Sequence, residues 1–284
     1  MKNILVLGAS GMAGHVIFTF LTEKNCYNVL GTTNSTNFLE NTLKLDVFDN
    51  EKLIGIIDSF KPDFVINCVG MLISSSKDFP DKTIYTNSYF PHLLAKLSFA
   101  KDFKLVHIST DCVFSGKTGN YIEESIKDAL DVYGLSKSLG EINDTKNLTI
   151  RTSIIGPEIK SKGEGLFHWI MNQYNDVFGF KSNFWSGVTT LELAKFIDYV
   201  VHNDLIGLFH LTNNIAISKF ELLNIINDIF NLGLIISDTK DYKCDKSFIN
   251  TNKEVLYSVP SYWQMLVEQK EFMNLHDDFY KHYS

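Results

Sequence analysis

Asn3-Ile4-Leu5-Val6-Leu7-Gly8-Ala9-Ser10-Gly11-Met12-Ala13-Gly14 opens the chain and decides how the remainder of the sequence is read. The short unbroken apolar run over 3–7 predicts a strand buried on both faces. The pattern over 11–24 predicts a helix. Between them, Gly8, Gly11 and Gly14 give the spacing G-x-x-G-x-x-G. One glycine permits a tight turn, another lets backbone approach a pyrophosphate, and a third lets helix and strand pack closely. The helix N-terminus then offers unpaired N–H groups and a partial positive charge to phosphate oxygens. A glycine triplet alone can be only a turn. Set between a strand and a helix, this one predicts a dinucleotide site formed by Gly8, Ser10, Gly11, Met12 and Gly14.

Outward from this stretch, strands are predicted at 27–32, 63–68, 104–109 and 148–152, with helices at 50–60, 83–99 and 132–143. That alternation predicts an α/β fold, a Rossmann-type doubly wound parallel sheet covered on both faces. After Pro157 the texture changes. Helices are predicted at 166–175, 188–202 and 218–231, the last with Ser218 as N-cap and Glu221 three residues on. A strand is predicted at 208–212, followed from 238 by an aromatic, charged tail of weak periodicity. The reading is a dinucleotide-binding domain over 1–157 and a smaller substrate-binding lobe over 158–284. One helix–strand segment, about 186–212, is expected to return to the sheet.

The chain has 284 residues, 45% of them hydrophobic and 21% charged, which leaves room for a large core. A net charge of −7 argues against a nucleic-acid polymer as partner, since binding one requires a positive surface. No apolar run approaches the roughly 20 residues needed to span a bilayer, and no signal peptide is evident. Cys26, Cys68, Cys112 and Cys244 are widely spaced. Neither a metal site nor a disulfide framework is expected, and the cytoplasm is the expected compartment.

The second predicted strand ends in Gly31-Thr32-Thr33-Asn34-Ser35, without the carboxylate that commonly binds the NAD ribose. Small polar groups such as Thr33 leave space for a 2′-phosphate, which favours NADPH, with NADH as the alternative. Asp46, beside Val47, could accept from the adenine amino group or simply cap its own loop.

Ser109-Thr110-Asp111 falls at the end of a predicted strand, on the sheet edge where open α/β folds bind ligands. Some twenty residues later come Tyr133-Gly134-Leu135-Ser136-Lys137. A tyrosine and a lysine four apart share one face of a helix. A free phenol, with a pKa near 10, is a poor acid–base group at neutral pH. A neighbouring ammonium would lower that value. The expected catalytic set is therefore Thr110, aligning a substrate oxygen, with Tyr133 and Lys137. Tyr133 and Lys137 also reach toward the cofactor.

These residues resemble the extended short-chain dehydrogenase/reductases, and within them the dTDP-4-dehydrorhamnose reductase-like branch of nucleotide-sugar reductases. The resemblance rests on 4–14, Val65 to Gly70, Asn87, and His107-Ile108-Ser109-Thr110-Asp111-Cys112-Val113-Phe114-Ser115-Gly116. It continues through Tyr133 to Glu141 and Arg151 to Gly156. It implies NADPH-dependent reduction of the 4-keto group of a nucleoside-diphosphate 4-keto-6-deoxy sugar, for cell-surface polysaccharide synthesis. By the same resemblance Asn67, Cys68, Val69, Gly70 and Asn87 belong to the cofactor site, and 153–157 lies near the nicotinamide. Asp111, Val113 and Phe114 fall to the substrate. Trp185 would stack on the nucleotide or pack the core. The 183–190 segment departs from the family pattern, and the 72–81 loop lacks its acidic character. Alternatives are a C4-epimerase of the same superfamily and a non-catalytic, cofactor-binding regulatory subunit. A dehydratase is disfavoured because Thr110 is followed by Asp111-Cys112 rather than Asp-Glu. A homodimer is compatible with the reading.

Overall fold

The computed structural model describes residues 1–34 and 39–283. Among them, seven parallel strands form the central sheet: β1 Lys2–Leu7, β2 Tyr27–Thr33, β3 Thr42–Lys44, β4 Phe64–Asn67, β5 Lys104–Thr110, β6 Leu148–Thr152 and β7 Gly207–His210. The principal helices are α1 Met12–Glu23, α2 Asn50–Phe60, α3 Phe90–Lys101, α4 Val132–Leu139, α5 Thr190–Asn203, α6 Lys219–Phe230 and α7 Tyr262–Leu275. The spatial order is β7-β6-β5-β4-β1-β2-β3, so the winding direction reverses between β1 and β4. A crevice at the carboxyl ends of the strands opens at such a reversal. This is the Rossmann-type fold expected.

Side-chain alternation along β1 divides the core into two layers. Ile4 and Val6 join Val16 and Ile17 of α1 with Ile197 and Val200 of α5. Leu5 and Leu7 point the other way, onto Leu53 and Ile57 of α2 and Phe90 and Leu94 of α3. Burial on both faces is why the first strand carries no polar alternation. Gly14 shows how close the layers come. A methyl group there would lie 2.1 Å from the Gly8 carbonyl oxygen.

Several elements differ from expectation, each for an identifiable reason. The 83–99 helix is broken into Pro80–Ile84, a π-turn over Tyr85–Tyr89, and α3. Pro91 has no N–H to continue an α-helical ladder, and such π-turns recur at functional sites. Helix α4 stops at Leu139 rather than 143. Glu141 is pulled away into a two-pronged contact with Arg151, whose Nε and Nη2 donate to Oε1 and Oε2 at 2.8 and 2.7 Å. The 166–175 helix ends at Met171, where Asn172 Nδ2 folds back onto the His168 carbonyl at 2.8 Å. Helix α5 begins at Thr190 because Val188–Thr189 pairs with Ile154–Ile155 and Thr189 caps the helix. The capping box of Ser218 and Glu221 is present on α6. Helix α7 lies in the tail that showed no clear period. Its buried face includes Gln269, whose Oε1 accepts from Thr190 Oγ1 at 2.9 Å and from Leu191 N at 3.0 Å. A polar residue at a core position erases the apolar repeat that would reveal the helix. Among the described residues no helix is long and apolar enough to cross a membrane.

Candidate active site

The reversal point between β1 and β4 holds a cleft of 620 Å³. Its floor includes Gly8, Ser10 and Gly11 from the glycine loop and Cys68, Val69 and Gly70 from the end of β4. Thr33, Asn34, Asp46 and Val47 line its far end; Ser35 lies outside the described residues. Gly11 occupies the N-cap of α1 and makes no side-chain cap, and the first turn carries no acidic residue. The leading N–H groups of α1 thus keep their affinity for an anion. A narrow glycine floor, an uncapped helix start and a polar far end fit a dinucleotide. Asp46 lines the cleft while its Oδ1 accepts from Phe48 N at 3.1 Å, so it also caps its own loop.

Three predicted members act behind this surface. Gly14 packs the helix against the loop. Met12 is not among the lining residues; its sulfur lies toward Gly165. Asn87, fully buried, clamps Met71: its Oδ1 accepts from Met71 N at 2.8 Å, and its Nδ2 donates to Met71 O and Ser136 Oγ. Asn87 therefore ties the loop after β4 to α4.

That helix carries Tyr133 and Lys137. Asp131 caps it, accepting from Gly134 N at 2.9 Å. A methyl group on Gly134 would stand 2.3 Å from the Cys112 carbonyl oxygen, so α4 lies directly against the turn after β5. This contact brings Tyr133 beside Thr110. Thr110 Oγ1 donates to Asp111 Oδ1 at 3.1 Å and accepts from Cys112 N at 3.2 Å. Lys137 Nζ donates to the Ile108 carbonyl at 2.7 Å and faces Cys68 on the cleft floor.

Electrostatics here depart from the expected lowering of the phenol. Burial, with Cys112, Asp111 and Asp131 adding to it, pushes Tyr133 above its ordinary value, and the Thr110 hydroxyl only partly opposes this. Desolvation sets the direction, and Lys137 is not among the groups that shift the phenol. Burial also pushes Lys137 down to about 8, with Glu141 and Cys68 opposing. The thiols of Cys68 and Cys112 are pushed up to about 12, chiefly by burial, which leaves them poor nucleophiles.

Asn67, expected at the cofactor site, is wholly buried and does not line the cleft, and its partner His107 and the Arg151 group had no individual role in the sequence. Asn67 Oδ1 accepts from Val69 N, and its Nδ2 donates to Nδ1 of the fully buried His107, each at 3.1 Å. His107 is held neutral, its pKa well below the ordinary value through burial and then the charge of Lys137. Beside the end of β5, Arg151 binds Glu141, and its Nη1 donates to His210 Nε2 at 2.7 Å. His210 Nδ1 in turn donates to the Ile249 carbonyl at 3.0 Å. His107, Glu141 and Arg151 stood inside the stretches that carry the resemblance, which marked them without stating a task.

The substrate-facing expectations need correction. Val113 and Phe114 are both 0% exposed and form a separate core with Tyr121 and Phe248. Phe114 stacks on Tyr121 at 4.1 Å, and Arg151 covers its ring at 5.0 Å. Trp185 is 3% exposed and packs on Tyr262, so it is a core residue and does not present a ring for stacking. Asp111 is buried beside Thr110.

Residues 1–234 match the family described as RmlD substrate binding domain. The chain belongs to this family. Among its relatives, the dTDP-4-dehydrorhamnose reductase of Aggregatibacter actinomycetemcomitans is 32% identical over 159 residues, 54% of this chain and 51% of that protein. The chain thus spans about half the length of that relative. The methionine adenosyltransferase 2 subunit beta of Mus musculus is 24% identical over 251 residues, 81% of this chain and 73% of that one. Among solved structures, a dTDP-4-dehydrorhamnose reductase from Bacillus anthracis in complex with NADP superposes with a TM-score of 0.82. It covers 96% of this chain and 99% of its own at 20% identity, a likeness of fold.

Proposed function

We propose that the protein is an NADPH-dependent reductase of the 4-keto group of a nucleoside-diphosphate 4-keto-6-deoxy sugar, serving cell-surface polysaccharide synthesis. The observation that supports the reading is placement: Tyr133 stands beside Thr110, and Lys137, one turn on along α4, faces Cys68, which lines a cleft whose features fit a dinucleotide. The absence of a carboxylate at Thr33-Asn34 favours NADPH over NADH. The nicotinamide supplies the hydride. Thr110 holds the carbonyl oxygen, and Tyr133, kept protonated by burial, gives that oxygen its proton. Lys137 binds the ribose and stabilises the phenolate left behind. Asn87 and Asn67 hold the loop after β4 in place during the reaction.

The test monitors reduced-nicotinamide absorbance with NADPH and a panel of dTDP- and UDP-linked 4-keto-6-deoxy sugars. Stoichiometric oxidation is expected with one of them, reduced about 10²–10⁴-fold in kcat by Tyr133→Phe. Interconversion of sugars without net NADPH consumption would instead mark an epimerase. A second reading, a regulatory subunit, draws on the longer match to the adenosyltransferase subunit. Cofactor binding without turnover of any sugar, equal in native protein and Tyr133→Phe, would favour it.

A further inference from the structure

The segment between β3 and α2 holds an aromatic ring in the lining of the dinucleotide cleft. Phe48 lies there beside Asp46 and Val47 and is 46% exposed. One exposed phenylalanine on a protein surface is ordinary. This one is held stiffly. Its N–H donates to Asp46 Oδ1 at 3.1 Å, and Asp49 N donates to the Asp46 carbonyl at 2.9 Å, so one aspartate closes the turn around it. Its ring stacks on that of Tyr85, with centroids 4.6 Å apart and planes at 30°.

Tyr85 is itself fixed. Its hydroxyl donates to Asn50 Oδ1 at 2.9 Å, with the Val47 carbonyl at 3.3 Å as a second acceptor, so it is tied to the chain on both sides of Phe48. Tyr85 and Tyr89 mark the two ends of the π-turn, and their rings lie 5.3 Å apart. Phe48, Tyr85 and Tyr89 thus form a row of three rings, of which Phe48 alone lines the cleft. The two tyrosines back it from outside. The π-turn, which the catalytic set does not use, supplies this backing.

A flat apolar ring beside Asp46 and the small polar side chains of Thr33 and Asn34 has the chemistry of a base subsite. Phosphate and ribose gain little from such a ring. A purine stacks its face on it and turns a polar edge to its neighbours. We propose that Phe48, braced by Tyr85, is the platform on which the adenine of the cofactor stacks. The inference rests on the dinucleotide reading and deepens it. The glycine loop addresses phosphate and carries no preference for a base, whereas Phe48 recognises the base itself. Because the ring is fixed before the ligand arrives, little ordering opposes the stack.

The experiment titrates NADPH and 2′,5′-ADP, which carries the adenine half without the nicotinamide, into the full chain by calorimetry. Phe48→Leu keeps an apolar side chain and removes the π face. It is expected to weaken both ligands by the same factor, about 10–100-fold. Tyr85→Leu, which removes the brace from outside the cleft, should weaken both by about 2–10-fold. Phe48→Trp should keep near-native affinity, and its added indole emission should be quenched when 2′,5′-ADP binds, a signature that a merely structural role would not give. Native-like affinity of Phe48→Leu for 2′,5′-ADP, or indole emission in Phe48→Trp that does not move on saturation, overturns the platform and leaves the dinucleotide reading standing as long as NADPH binds. A native protein that binds neither ligand overturns both.

Discussion

Around the glycine loop, the working contacts are made by backbone or by side chains a few residues apart: Gly14 against Gly8, Asp46 on Phe48, Asn67 on Val69. The contacts that tie in the second half of the chain are made quite differently. Arg151 reaches His210, His210 reaches Ile249, and His15 reaches Tyr280, the last across 265 positions. The first region is specified by local pattern and tolerates change in distant residues. The second depends on a few buried polar pairs, each of which leaves an uncompensated partner when cut.

The largest expected effect comes from that difference. Arg151 and Glu141 are both almost wholly buried, at 2% and 3% side-chain exposure. Burial alone would raise the Glu141 carboxyl, but the hydrogen bonds and charge of Arg151, with Lys127 and Ser109, bring it below its ordinary value. Arg151→Leu would strand that carboxylate, and should cost about 3–5 kcal/mol in urea unfolding. Replacing both partners by apolar residues should cost much less. A loss below about 1 kcal/mol for the single variant would erase the distinction between the two regions.

The same contrast explains which features are legible in the sequence. Strand, glycine loop and helix at the N-terminus obey short-range rules, and the i, i+4 relation of Tyr133 and Lys137 is local. Thr110 joins them through the ordering of a parallel sheet. Resemblance points Val113 and Phe114 to the substrate and leaves Trp185 open between stacking and core, and the structure buries all three. Linear pattern does not tell an apolar residue that faces a ligand from one that faces a core. The upward shift of Tyr133 is likewise a product of burial, which spacing does not convey.

An intermediate effect should appear with pH, and it samples both regions. His15, His107 and His210 are each 0% exposed. Burial first, then neighbouring positive charge, lowers all three, to about 4 for His15 and His210 and well below the ordinary value for His107. The unfolded chain therefore binds more protons than the folded one once pH falls below about 6.5. Their contribution to stability is complete above that value and declines as pH drops toward 4. Urea midpoints should fall steadily over this window, and a flat profile would mean that these rings are protonated in the folded state.

The smallest effect probes where the two regions touch. His15, in the first turns of α1, donates from Nδ1 to the Gly11 carbonyl at 2.9 Å, and its Nε2 accepts from the Tyr280 hydroxyl at 2.8 Å. The C-terminal tail thereby fixes the ring that steadies the glycine loop. Tyr280→Phe keeps the aromatic packing and removes only the donor, so it should cost about 1 kcal/mol of stability. If the tail tunes the loop, NADPH affinity should weaken by a few-fold in the same variant, measured by fluorescence titration. The stability loss without any change in affinity would separate tail from cleft, and the glycine loop would then be as self-contained as its sequence suggests.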